Sequence, residues 1–250
     1  MEQDPLYKQL ARQELLDVFE IIDRSLRVQS DETLKALLSR VQHLLPCQQI
    51  VAGIGRTRPR GGFRDVIKIV NVSFPSDWMA LYAEKGYATI DPLVIAHFKQ
   101  FTPQLWSEVF RAATQPRQKK FIKHAMEFDL SQGITLGSPV PHSRTASIFS
   151  FAGKDMAEHV RHTALLKLLL PHLHSALMRI PVPLQKSIDA QLSVREREIM
   201  QWLKEGKTNW EISRILHISE RTVNFHVHNI LVKLDVSNRS HAVAVAMSEK

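Results

Sequence analysis

Trp78 and Tyr82 stand four residues apart in a stretch with helical spacing, so their rings share one helix face. Asp91-Pro92 follows, then Trp106 in a loop, then Gly133 at the head of a strand-like run. An indole N–H, a phenol hydroxyl and a carboxylate that meet in an apolar cavity could hold a neutral ligand carrying an amide. The carboxylate would accept from the ligand N–H while Trp and Tyr donate to its carbonyls. The same aromatics also read as core packing, and an Asp before Pro alone reads as a helix cap. A second constellation lies near the C-terminus. With Val223, Val227, Ile230 or Leu231, and Leu234 on one helix face, Arg221, Thr222, Asn224, Phe225, His228 and Asn229 point the other way. Such a face suits base edges: Asn can pair two-pronged with adenine, Arg with guanine, and an apolar group can touch a thymine methyl. Lys233 and Arg239 are spaced to meet phosphates.

The elements that must carry the second constellation are marked by capping patterns. Ser193-x-x-Glu196 opens one helix and Thr208-x-x-Glu211 the next, with Gly206 where a C′ glycine would close the first. Ile212, Ile215 and Leu216 form the apolar stripe of the second helix. His217-Ile218 makes a short turn, and Ser219 caps a third, longer helix. Two short helices, a tight turn and an amphipathic helix are the parts of a helix-turn-helix.

Upstream, helical and strand patterns alternate. Amphipathic helices are expected over Leu10–Arg27 and from Asp31 to about Leu45, and strands over Gln49–Gly55 and Val66–Val72. Ser76–Lys85, Pro92–Lys99 and Arg117–Phe128 read as helices, Gly133–Gly137 and Ala146–Phe151 as strands, and Asp155–Arg179 as a long helix that Pro171 should kink or split. The fold class is therefore α+β: an N-terminal α/β/α sandwich around an antiparallel sheet, which can leave a cavity between one sheet face and its helices, followed by an all-α four-helix domain. Ile180-Pro181-Val182-Pro183 marks the boundary, giving a first domain over 1–180, a linker over 181–191 and a second domain over 192–250.

The 250 residues suit two domains. The net charge of +8 places only +2 from Ala190 onward; the rest gathers at Arg56, Arg58, Arg60 and Arg64, and at Arg117, Lys119, Lys120 and Lys123. A basic balance agrees with a DNA partner without establishing one. The Arg56–Arg64 segment with Gly61-Gly62 reads as a loop between strands, not a phosphate loop, because the Gly-Lys-Ser/Thr ending is absent. The single cysteine, Cys47, precludes an internal disulfide. No apolar run reaches spanning length and no secretory signal opens the chain, so a cytoplasmic protein without a membrane partner is expected. His159, His162, His172 and His174 sit among leucines without Cys or Asp partners in register, so packing is expected there and no metal. No Gly-x-Ser-x-Gly or His-Glu-x-x-His pattern supports an enzyme, and no cofactor is called for. A phosphorylated receiver domain is excluded because Asp17 and Asp23 fall in a helical pattern.

Residues 192–247 resemble the DNA-binding domain of the LuxR family of bacterial transcription regulators. The resemblance is carried by Arg195-Glu196, Gly206-Lys207-Thr208, Glu211-Ile212, Ile218-Ser219, Arg221-Thr222-Val223, His226, Lys233-Leu234 and Asn238-Arg239. It implies base contacts from Asn224, Phe225 and His228, backbone clamps from Arg221, Thr222 and Lys233, and packing for His226. The N-terminal pattern SDWMALYAEKGYATIDPLV, with Trp106, GITLGSPVPH and SIFSFAG, is similar to the autoinducer-binding domain of quorum-sensing members of that family. Its hallmark residues match Trp78, Tyr82, Asp91, Pro92, Trp106 and Gly133. The resemblance implies an N-acyl-homoserine lactone as ligand. Trp78 would bond the lactone carbonyl, Tyr82 the amide carbonyl and Asp91 the amide N–H. Trp106 would pack near the ring, Ser150 could reach an acyl-chain oxygen, and Pro92 and Gly133 would shape backbone. It also implies a homodimer on double-stranded promoter DNA. The alternative is a lone receptor of the same type, sensing an exogenous or non-lactone small molecule.

Overall fold

The computed structural model describes residues 10–58, 61–156, 160–182, 192–234, 236 and 238–248. The chain divides into two compact units, Met1–Val182 and Pro183–Lys250. In the first, α1 (Arg12–Ser25) and α2 (Asp31–Leu44) precede the hairpin of β1 (Gln49–Thr57) and β2 (Phe63–Asn71). Then come α3 (Ser76–Glu84), a 3-10 turn (Tyr87–Thr89), α4 (Pro92–Lys99), β3 (Gln104–Leu105), α5 (Trp106–Ala112) and α6 (Pro116–Glu127). β4 (Gly133–Leu136), β5 (Thr145–Ala152) and α7 (Val160–Arg179) complete the unit. Ser30 caps α2 by accepting from the Thr33 N–H, and Asp91 caps α4 with Pro92 in its first turn.

The strands form one antiparallel sheet in the order β2-β1-β5-β4-β3. Side-chain alternation gives it two faces. Ile50, Ala52 and Ile54 of β1, Ile134 and Leu136 of β4, and Phe149 and Phe151 of β5 enter a core with α2 residues such as Leu34, Leu37 and Leu38 and with Leu165, Leu169 and Leu173 of α7. The alternate residues Val51, Gly53 and Gly55 of β1 and Ile148 and Ser150 of β5 face a cavity lined also by residues of α3 to α6. The hairpin loop ends in Gly61 and Gly62, both at positive φ, and Arg56 is held by two hydrogen bonds to Asp65, at 2.7 and 2.8 Å.

Two sequence expectations change in this unit. Trp106 does not sit in a loop; it is the first residue of a helix, α5, that the sequence pattern did not reveal. Pro171 does not split α7, which runs unbroken through it. Both Pro171 and Lys167, whose carbonyl loses its helical partner, are exposed, so water can satisfy that carbonyl. The start of the long helix at 157–159, with His159, and most of the linker, 183–191, lie outside the described residues.

The second unit contains α8 (Val194–Lys204), α9 (Asn209–Ile215), α10 (Glu220–Leu234) and α11 (Arg239–Ser248). Both capping boxes form. The Glu196 carboxylate accepts from the Ser193 N–H at 2.7 Å while the Ser193 hydroxyl accepts from Glu196, and Thr208 and Glu211 repeat the exchange. Gly206, at φ +79°, ends α8. Ile199, Leu203, Ile212, Val223, Ile230 and Ala242 make the core. Ile215 departs from the expected stripe: it is 38% exposed.

Candidate functional site

α3 presents Trp78 and, one turn later, Tyr82 to the cavity. The Trp78 ring is wedged among Tyr82, Tyr87, Phe121 and Phe128 with centroids 5.5 to 6.1 Å away. The side chain is buried, yet its indole N–H has no hydrogen-bond partner among the described residues. Tyr87, behind it, is bonded to His124 Nδ1 at 2.6 Å. The Tyr82 hydroxyl donates to Asp91 Oδ2 at 2.9 Å, and Asp91 Oδ1 accepts the Leu93 N–H at 2.8 Å as the cap of α4. Burial pushes the Asp91 carboxyl up to about 6, although its hydrogen bonds from Tyr82, Leu93 and Val94 oppose the shift. Burial, and then the neighbouring Asp91 charge, hold the Tyr82 phenol well above its ordinary range. Pro92 supplies the first turn of α4.

A second polar line crosses the cavity wall. Trp106 Nε1–H donates to Thr135 Oγ1 at 2.8 Å, and Thr135 Oγ1 lies 2.9 Å from Ser150 Oγ. Thr135 is opposite Ser150 in the β4–β5 register. It is fully buried and was not among the expected site residues. Its signal was available: it is two residues from Gly133, hence on the same sheet face, and is the one polar residue in an apolar strand. Gly133 is required by close approach. A Cβ there would stand 2.3 Å from the Phe151 carbonyl oxygen and 3.0 Å from the Trp106 ring. At the cavity's apolar end, Phe63 and Phe98 pack edge to face at 5.0 Å, and a Cβ on Gly55 would come within 2.6 Å of the tip of Phe98. About 790 Å³ of atom-free space lies among these residues, open solvent included, of which about 100 Å³ can hold the centre of a water-sized guest. Its wall is apolar except for Trp78, Tyr82, Asp91, Ser150, Lys68 and the inner edge of Trp106. Lys68 extends away to Asp31, 2.7 Å off.

In the second unit α10 buries Val223 and Ile230 and packs Val227, Leu231 and Leu234 against the core. Arg221, Asn224, Phe225 and His228 are exposed, and Thr222 and Asn229 half-buried, with Phe225 exposed to 61%. The Ser219 hydroxyl caps the helix through the Thr222 N–H at 3.1 Å. His226 is half-buried beside the inward stripe. Two expected phosphate clamps have other partners. Lys233 Nζ is paired with Glu196 at 2.5 Å. Burial alone would raise the Glu196 carboxyl, but the bonds from Lys233 and Ser193 outweigh it and hold it below its ordinary range. Arg239 donates to Asn209 Oδ1 at 2.9 Å and to the Lys207 carbonyl. Both cations therefore tie helices together inside the domain. Among the described residues, no group of three His, Cys, Asp or Glu converges as a metal site, and no helix is long and apolar enough to cross a membrane.

Residues 30–177 match the autoinducer binding domain family, and residues 190–246 match the bacterial regulatory proteins of the luxR family. The chain belongs to the LuxR family of transcription regulators. It is 33% identical over 217 residues to the quorum sensing-dependent regulator RpaR of Rhodopseudomonas palustris, covering 85% of this chain and 87% of that one. It is 28% identical over 233 residues to the transcriptional activator LuxR of Aliivibrio fischeri, covering 91% of each. Among solved structures the fold is shared with Escherichia coli SdiA, at a TM-score of 0.55 and 24% identity over 92% of this chain and 95% of that one. It is shared also with the transcription factor CepR2 of Burkholderia cenocepacia, at 0.52 and 19% over 67% and 94%. As a LuxR family member the protein is a quorum-sensing-type transcription regulator, with a domain that binds a small-molecule autoinducer and a domain that binds DNA.

Proposed function

We propose that this regulator is gated by an N-acyl-homoserine lactone and engages double-stranded promoter DNA as a homodimer. The reading divides it into a sensing and dimerising domain over 1–180, a linker over 181–191 and a reading domain over 192–250. The observation that carries it is the polar triad on an otherwise apolar cavity wall: Trp78, a buried residue that lines the cavity and whose N–H has no partner among the described residues, beside a Tyr82–Asp91 pair bonded to each other. A secondary amide can enter that pair without net loss of hydrogen bonds. Tyr82 turns from Asp91 to the amide carbonyl, Asp91 receives the amide N–H in exchange, and Trp78 supplies the donor for a lactone carbonyl. Trp106, fixed by Thr135, would bound the ring, and Ser150 would meet an acyl-chain oxygen.

Burying the acyl chain stabilises the folded sensor by roughly 0.8 kcal/mol per methylene, so the signal raises the folded population by mass action. The mutually packed helices α1 and α7 leave Leu16, Phe19 and Leu168 exposed to 53, 67 and 45%. A second copy covering that face would pair two chains, each supplying one α10 to a half-site of the operator. A ligand without an amide N–H is the second reading, favoured by the closed Tyr82–Asp91 bond, which such a ligand would leave intact. The test is thermal melting of the full chain with a panel of N-acyl-homoserine lactones and with acylglycerols. Organic extraction and mass spectrometry of protein expressed beside a lactone synthase accompany it. Stabilisation by lactones alone supports the first reading; stabilisation by acylglycerols alone replaces it with the second. Light scattering with a synthetic operator checks the dimer.

A further inference from the structure

On the reading face of α10, one side chain is not free to choose what it shows. Asn224 Oδ1 accepts from Asn209 Nδ2 at 2.6 Å, and Asn209 Oδ1 accepts from Arg239 at 2.9 Å. The order of atoms in this chain follows from its anchor. A guanidinium only donates, so the atom of Asn209 facing Arg239 must be its oxygen. The other end of that carboxamide is then the amide nitrogen, and the Asn224 atom facing it must be an oxygen. Arg239 is itself anchored a second time, on the Lys207 carbonyl, and Asn209 lies in the first turn of α9, whose start Thr208 caps. The rail therefore begins on two fixed backbone segments and ends on an exposed side chain.

We infer that Asn209, held by Arg239, is a positioning residue that sets which hydrogen-bonding edge Asn224 offers to DNA: the amide N–H2 faces outward as a donor. The inference rests on the DNA-reading role proposed for α10. An outward donor fits bases with a keto acceptor in the major groove, guanine O6 with N7 or thymine O4. Bases whose exocyclic group is itself a donor, adenine N6 and cytosine N4, fit less well. The two-pronged adenine contact that an unconstrained asparagine offers is thereby disfavoured, because its acceptor end is already engaged by Asn209.

The decisive variant is Asn209→Asp in the full chain. Its carboxylate still accepts from Arg239 and suits the first turn of a helix, so the domain keeps its fold. A carboxylate cannot donate, however, so Asn224 must turn its N–H2 inward and its oxygen outward. Selection of binding sites from randomised duplexes would be run for wild type, Asn209→Asp, Asn224→Ala and the double variant. N-hexanoyl-, N-octanoyl- and N-dodecanoyl-homoserine lactone would be added in turn. The wild type is expected to select guanine or thymine at one position, and Asn209→Asp to select adenine or cytosine there, each by about ten-fold in affinity. Asn224→Ala should erase the preference in both backgrounds. The added negative charge would weaken binding to every duplex alike and so leaves the base ratio unaffected. Selective binding with the same base preference in wild type and Asn209→Asp would overturn the inference while leaving the DNA-reading role standing. A wild type with no sequence selectivity under any of the three lactones would overturn both.

Discussion

Asp91→Asn separates the two jobs that Asp91 combines. As a cap, asparagine is equivalent: its oxygen can accept the Leu93 N–H that Asp91 now takes at 2.8 Å, so α4 should survive with little change in stability. As a ligand acceptor it fails, because the atom now turned to Tyr82 becomes an amide nitrogen. The incoming amide N–H would meet a donor in place of a carboxylate. The loss is a hydrogen bond to a charged group, about 1.5–3 kcal/mol, or roughly ten- to hundred-fold in lactone affinity. The wild type also carries a pH signature that the variant lacks. Burial lifts Asp91 from 3.8 to about 6. The folded state therefore holds a proton between those values that the unfolded chain has released, so the cost of burying the charge is present above about pH 6 and is relieved as pH falls toward 3.8. That gap corresponds to about 3 kcal/mol. Because amide donation favours the carboxylate, lactone affinity should weaken as pH is lowered through about 6, while the unliganded sensor gains stability. Calorimetric titration of both proteins from about pH 7.5 to 5 reads both effects. A variant that binds lactone as tightly as wild type, or a wild-type affinity flat across that range, would refute the exchange between Tyr82, Asp91 and the ligand.

Thr135→Val keeps the shape of the side chain and removes the acceptor for the Trp106 indole. Chemical denaturation should show a loss of about 1–3 kcal/mol from the unpaired buried N–H, with weaker lactone binding. Gly133→Ala drives a methyl group into the Phe151 carbonyl and should cost about 3 kcal/mol; a soluble, ligand-responsive variant of normal melting temperature would contradict that. Lys233→Ala strips the partner from the buried Glu196. It should destabilise the C-terminal unit by about 1 kcal/mol, since Lys233 is 40% exposed, read as a lower melting temperature, and leave the salt dependence of DNA binding nearly unchanged. A slope reduced by about one phosphate would return Lys233 to the clamp.

Features set by local chemistry could be read from the chain alone. The alternation of β1, the caps at Asp91, Ser193 and Thr208, and the glycine that ends α8 all depend on a few neighbouring residues, and each appears where the spacing puts it. The helix at Trp106 was hidden because it is seven residues long and Leu105, at its cap, offers no side-chain hydrogen bond. The continuity of α7 was hidden because proline carries a penalty in sequence that an exposed carbonyl relieves in space. Glu196–Lys233, Arg239–Asn209 and the bond from Trp106 to Thr135 were invisible for a further reason: each joins partners 29 to 37 residues apart, brought together only by tertiary packing. Basic residues on α10 and α11 look alike in sequence whether they face phosphate or a neighbouring helix.

The aromatic lid on Gly55 has an evolutionary side. The tip of Phe98 occupies the space that a single methyl group on β1 would claim, and Phe63 leans on the same spot. If the ligand lies as proposed, with its polar head at Trp78, Tyr82 and Asp91, one codon change at residue 55, 63 or 98 would lengthen or shorten the space left for its tail. Under that proposal, the length of signal a sensor accepts can change at this far end without any change to the polar residues at the other.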